Sequence, residues 1–185
     1  MERIVARKIK FNINAFFNEK EIELPFPDNW AMAECHMAGF GRPALTPDQI
    51  RERLANPIGT PRLRDMARGK QKVCILFDDI PKPTRADRIA PYVIEELKAG
   101  GIADDQIRFI CAPGTHRPLT YPEFAAKLGA EIVEKYLVFN HTVWENLVFK
   151  GNTSRNTPVW VNREFDSCDL RVAIGSIFPH GSAGF

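Results

Sequence analysis

Cysteine is scarce in this sequence: among its 185 residues only Cys35, Cys74, Cys111 and Cys168 occur, far apart and without a CxxC pair. That excludes a zinc ribbon and a dense disulfide framework. Charge of one sign is also missing, because 25 basic residues stand against 23 acidic ones with no clustered excess. Charge therefore gives no reason to expect a nucleic-acid or anionic-lipid partner. No stretch approaches the roughly 18 uninterrupted apolar residues that a membrane span requires, and the start of the chain, Met1 to Arg7, has no apolar h-region. The expectation is a soluble, cytoplasmic protein without a membrane partner. Internal repeats, low-complexity tracts, a Gly-x-Ser-x-Gly elbow and Cys/His sets with metal-ligand spacing are absent as well, so no metal site is expected in this chain by itself.

What is present is patterned. Residues 3–14 and 19–26 alternate apolar and polar side chains, with Ile9, Phe11 and Ile13 in the first run and Ile22, Leu24 and Phe26 in the second. This predicts an antiparallel hairpin with one buried face. After a Pro- and Gly-bearing connection, Thr46 as N-cap and Pro47 at the first helical position open a helix carrying Ile50 and Leu54. Asn56-Pro57-Ile58-Gly59 stops it.

From residue 72 the pattern changes. Val73 to Phe77 is a continuous apolar run of strand length, and Ile89, Val93, Ile94 and Leu97 place a stripe on a helix that ends at Gly100-Gly101. Ile107 to Cys111 is the next strand, and Thr120 with Glu123 spells a capping box for a helix through Phe124 to Leu128. Further strands are predicted at Tyr136 to Phe139, Pro158 to Asn162 and Leu170 to Ile174. The order argues for an α/β fold: a Rossmann-like parallel sheet with helices on both faces, preceded by the antiparallel hairpin. Residues 1–70 form the hairpin and connecting helices in this scheme, and 71–185 the alternating β/α core. Cys74 and Cys111, inside apolar runs, are expected to be buried free thiols.

On a parallel sheet the ligand crevice lies at the strand C-termini. Three polar clusters follow three predicted strands: Asp78 to Arg85, Gly114 to Thr120, and Pro179 to Phe185. Each has an ordinary alternative. An Asp after a strand can simply cap a helix, Lys82 and Arg85 can be solvated charges, and a lone loop histidine can be structural. Convergence shifts the balance, since two histidines, a carboxylate and two cations arrive at one edge. Such a set suits proton transfer beside an anionic small molecule, because a histidine with its ordinary pKa near 6.5 both takes and returns a proton at neutral pH. His36, in a connection, and His141, after a strand, have no comparable company and are expected to play loop hydrogen-bonding roles.

The loops Asp79-Ile80-Pro81-Lys82-Pro83 and Gly114-Thr115-His116-Arg117-Pro118, with the ending Pro179-His180 through Ala183-Gly184-Phe185, resemble the amino-terminal domain of the nickel-dependent lactate racemase family. Asn56 to Gly59 and Asn152 to Val159 resemble family segments too. The resemblance implies a 2-hydroxy acid racemase or epimerase with a small-molecule substrate. Its cofactor would be a nickel pincer nucleotide, pyridinium-3-thioamide-5-thiocarboxylic acid mononucleotide, whose ring accepts a hydride from the substrate Cα. His116 and His180 would be the catalytic bases for the two enantiomers, and Asp79 and Lys82 would bind substrate. Asp79, Thr84, Arg85, Gly114 and Thr115 would face the cofactor.

Two departures from the family pattern bear on specificity and activity. Lys82 stands where the family often has an arginine, losing the planar bidentate fork, and Pro81 replaces a usual threonine. The family continues beyond Gly-Phe into a lysine that tethers the cofactor, a nickel-ligating histidine and a carboxy-terminal domain. The expectation is therefore a truncated chain with little or no turnover of its own. The competing reading is a non-catalytic domain that binds a small anion or nucleotide, since a strand-end cleft with no second wall cannot exclude water. A hydrolase built on Ser182 and His180 lacks the strained elbow such a nucleophile needs.

Overall fold

The structure is a computed structural model that describes residues 7–13, 16–17, 19–33, 35–36, 38–177 and 184. It divides into two compact units, 1–46 and 47–185. In the first, β1 (Arg7–Ile13) pairs antiparallel with β2 (Lys20–Phe26), placing Phe11 opposite Ile22 and Ile9 opposite Leu24. The hairpin is as expected. Its apolar face is not buried as expected: Phe11 is 41% exposed and Leu24 42%. Two strands alone provide no second layer to bury a face against, and cross-strand ion pairs, Lys8–Glu23 at 3.0 Å and Lys10–Glu21 at 2.6 Å, line the polar positions.

The second unit begins with α1 (Pro47–Ala55) and α2 (Leu63–Ala67). The sequence grouped these helices with the hairpin, but Ala67 and Leu63 pack into the same core as the strands that follow. Both flanking arginines of α2 close on one carboxylate of α3 (Ala90–Ala99): Arg62 and Arg64 each make two hydrogen bonds to Glu96, at 2.6 to 3.0 Å. The arginines hold Glu96 down at about 2 against burial. Gly100, at the end of α3, is required by this packing, because a Cβ there would lie 2.5 Å from the Arg64 carbonyl oxygen.

The sheet is built from β3 (Val73–Phe77), β4 (Ile107–Cys111), β5 (Leu137–Asn140) and β8 (Leu170–Ile174) in the order β5-β4-β3-β8, all neighbours parallel. Side chains alternate across it. Val73, Ile75, Phe77, Ile107 and Phe109 face a core closed by α2, α3, α4 (Tyr121–Leu128) and α5 (Ala130–Lys135). Cys74, Leu76 and Ile110 face the other way, against Cys168 and against Phe165 of the short α6 (Arg163–Asp166). Edge-on contacts of Phe77 with Phe109 and Phe124, at 6.5 and 6.0 Å, weld sheet to helix. Burial of each such ring contributes about 2–3 kcal/mol.

One expected strand is real but misplaced. β7 (Pro158–Asn162) is not in the parallel sheet; it pairs antiparallel with β6 (Leu147–Asn152), a strand the sequence pattern did not reveal. An irregularity between Phe149 and Gly151 breaks the two-residue period of β6 and hides it. Cys74, Cys111 and Cys168 are buried free thiols, and burial pushes Cys74 and Cys111 up to about 12, so neither is a ready nucleophile at neutral pH. No helix among the described residues is long and apolar enough to cross a membrane.

Candidate functional site

Chain order turns between β3 and β8: the chain moves outward from β3 through β4 to β5, then returns to the far side of β3. Such a switch point splays the loops at the strand C-termini and opens a crevice. Phe77 is in register with both Cys111 and Ile174, so the segments after these three strands leave the sheet at one level. The ladder runs on into the loops, with the Ala112 N–H donating to Phe77 O at 2.8 Å and the His141 N–H to Cys111 O at 3.0 Å.

The two sequence-predicted residues at the centre of this edge meet. Asp79 is 2% exposed, and its Oδ2 lies 2.5 Å from Nδ1 of His116, whose side chain is half exposed. A carboxylate only accepts, so Nδ1 carries the proton and Nε2 is left as the basic nitrogen. The Asp79 carboxylate is thus an orienting group and does not cap a helix. His116 is presented by a tight turn in which its N–H donates to Pro113 O at 3.1 Å, and Gly114 adopts φ 61°, a conformation that L side chains rarely take.

Several contacts that sequence reasoning missed hold these loops. Lys127, fully buried on α4, pairs with Asp78 at 2.8 Å and donates to the Lys82 carbonyl at 2.7 Å. Arg117 grips Glu123 with two hydrogen bonds, at 2.5 and 2.8 Å, while Glu123 also accepts from the Thr120 N–H at 2.8 Å. These donors hold the Glu123 carboxyl at about 2. Asn140 acts as a strand extension by side chain, accepting from the Leu119 N–H and donating to the Leu119 carbonyl, both at 2.9 Å.

Two cavities meet at His116. A small one of about 100 Å³ is bounded by Asp79, Pro81, His116 and Glu123. A larger one of about 350 Å³ runs from Gly114 and Thr115 past His116 to His141 and Trp144. His141, which the sequence left with a loop hydrogen-bonding role, therefore shares a cavity with His116. Its Nδ1 and the Thr142 Oγ1 are buried without a hydrogen-bond partner among the described residues. A buried polar atom left unsatisfied costs about 1–3 kcal/mol. The signal that could have found His141 is its position directly after the strand beside β4.

The remaining expected residues are placed as follows. Lys82 is half-buried, its N–H donates to Asp79 O at 3.1 Å, and its side chain lines neither cavity. The Thr84 hydroxyl donates to Asp78 and lies 2.8 Å from the Ser176 hydroxyl, bridging the loops after β3 and β8. Arg85 makes a bidentate pair with Asp87, at 2.7 and 3.0 Å. His180 and Ser182 lie outside the described residues. Among the described residues no group of three or more His, Cys, Asp or Glu side chains converges, so these residues do not form a nickel site by themselves.

A parallel α/β sheet with a buried carboxylate orienting a histidine at its switch point defines a small-molecule enzyme-type domain. The profile of the lactate racemase N-terminal domain matches residues 17–185, and the chain belongs to that family. It is 32% identical over 140 residues to lactate racemase of Thermoanaerobacterium thermosaccharolyticum and 30% over 140 residues to that of Lactiplantibacillus plantarum. Each alignment covers 75% of this chain and 33% of the relative, so the chain spans about one third of their length. Among solved structures, the lactate racemase apoprotein of T. thermosaccharolyticum superposes with TM-score 0.61 at 30% identity, over 68% of this chain and 30% of that one. A Thermotoga maritima protein, at 23% identity and TM-score 0.55 over 70% of this chain and 33% of that one, shares the fold.

Proposed function

We propose that this chain is the amino-terminal catalytic part of a 2-hydroxy acid racemase or epimerase. The observation that carries the proposal is the buried Asp79 carboxylate hydrogen-bonded to Nδ1 of His116 at 2.5 Å. With its tautomer fixed, His116 takes the hydroxyl proton of the substrate on Nε2 as the Cα–O group becomes a carbonyl, and returns it when the opposite configuration forms. Asp79 stabilises the imidazolium that exists in between. His180 is the partner base for the other enantiomer, and Lys82 supplies positive charge for the substrate carboxylate. Gly114, Thr115, Thr84 and Arg85 are the positions assigned to the cofactor side. The nickel pincer nucleotide of the family supplies, when bound, an acceptor for the Cα hydride. No metal ligand set exists among the described residues, so the isolated chain turns over little or nothing.

The alternative, a non-catalytic domain that binds a small anion or nucleotide, predicts ligand binding with no inversion in any context. The deciding experiment compares this chain with a form extended to the length of its relatives, both loaded with cofactor, for racemisation of a panel of D-2-hydroxy acids. Inversion by the extended form alone supports the proposal; no inversion across the panel by either form sinks it.

A further inference from the structure

We infer that His141 and Thr142 bind the carboxylate of the hydroxy acid, as a second polar wall of the cavity that His116 lines. The inference rests on the hydroxy-acid reading above. His141 follows β5 directly and its backbone is pinned to the end of β4 through Cys111 O at 3.0 Å, so the ring position is set by the sheet. Its Nδ1 and the adjacent Thr142 Oγ1 are the buried side-chain polar atoms of this cavity wall that lack a hydrogen-bond partner among the described residues. Two neighbouring unsatisfied atoms at the rim of a cavity of about 350 Å³ are a place for a ligand oxygen.

The other polar groups around the cavity are already engaged. Arg117, its cation, is committed to Glu123 through two hydrogen bonds, and His116 Nδ1 is committed to Asp79. If His116 Nε2 serves the hydroxyl, the oxygens of the ligand still to be held are those of its carboxylate. An imidazole N–H and a hydroxyl both donate, which is what a carboxylate requires. The Lys82 side chain, the sequence-based choice for this task, does not line the cavity.

Imidazole nitrogen NMR on the chain separates the possibilities, with sodium D-lactate and sodium propionate as probes. Lactate is expected to perturb the rings of both His116 and His141, and propionate, which has the carboxylate without the hydroxyl, the ring of His141 alone. Thr142→Val, which keeps shape and loses the hydroxyl, is expected to weaken lactate binding about tenfold by calorimetry, as for a lost hydrogen bond to a charged group. His141→Gln, which keeps a donor, is expected to lose less than His141→Phe. A lactate response at His116 with none at His141 overturns this inference and leaves the proton-transfer reading standing. No response at either ring removes both.

Discussion

The cavity at the sheet edge has two unlike sides. On the β3–β4 side, Asp79 is matched by His116, Asp78 by Lys127 and Glu123 by Arg117, and Asn140 ties down the loop between. On the side that follows β5, His141 Nδ1 and Thr142 Oγ1 are buried with no such match among the described residues. The difference separates two tasks. A group that moves protons must be oriented before the ligand arrives, which paired charges achieve. A group that recognises a ligand must still have hydrogen-bonding capacity when it comes.

The largest break in this contrast comes from Lys127→Met. Removing the buried cation leaves Asp78 uncompensated beneath the Asp79 loop, and such losses run about 3–5 kcal/mol. A urea titration should show the loss, and an unchanged midpoint would mean that Lys127 does not brace the loop. Next is Asp79→Asn, which keeps the shape and removes the charge that fixes the His116 tautomer. In the extended, cofactor-loaded form, inversion should fall by about 10²–10⁴-fold with substrate affinity nearly unchanged; a loss of affinity alone would assign Asp79 to binding.

Acid should loosen the paired side. Glu96 and Glu123 have carboxyls near 2 in the fold against an ordinary 4.5, through Arg64 with Arg62 and through Arg117 with the Thr120 N–H. Their folded values are depressed, so their stabilisation is present in full above pH 4.5 and is lost as the pH falls from 4.5 toward 2. The thermal midpoint should drop across that window, and the drop should shrink in Glu123→Gln. The smallest expected effect is Asn140→Ala, at about 1–2 kcal/mol for the two hydrogen bonds to Leu119. It should raise amide exchange in residues 113–119 ahead of the sheet, and uniform exchange would deny Asn140 its local role.

The strands of the parallel sheet were legible because Val73 to Phe77, Ile107 to Cys111 and Leu170 to Ile174 are short apolar runs, and parallel order follows from the helices between them. That order also put Asp79 and His116 at one edge before any coordinates. Other features depend on pairing that periodicity does not encode. β7 alternates like a sheet strand, but its partner β6 is interrupted at Gly151. Lys127 sits in a helix as an apparently ordinary surface cation, and only the meeting of α4 with the Asp78 loop buries it. His141 looked solitary because its nearness to His116 is created by β5 lying beside β4.

The central claim is that His116, oriented by Asp79, moves the substrate proton. Its most direct test is the rate of inversion of a D-2-hydroxy acid by His116→Asn in the extended, cofactor-loaded form, with binding of the same acid followed in parallel. The account predicts a loss of at least about 10²-fold in the inversion rate, with the acid still bound; inversion at the parent rate would contradict it.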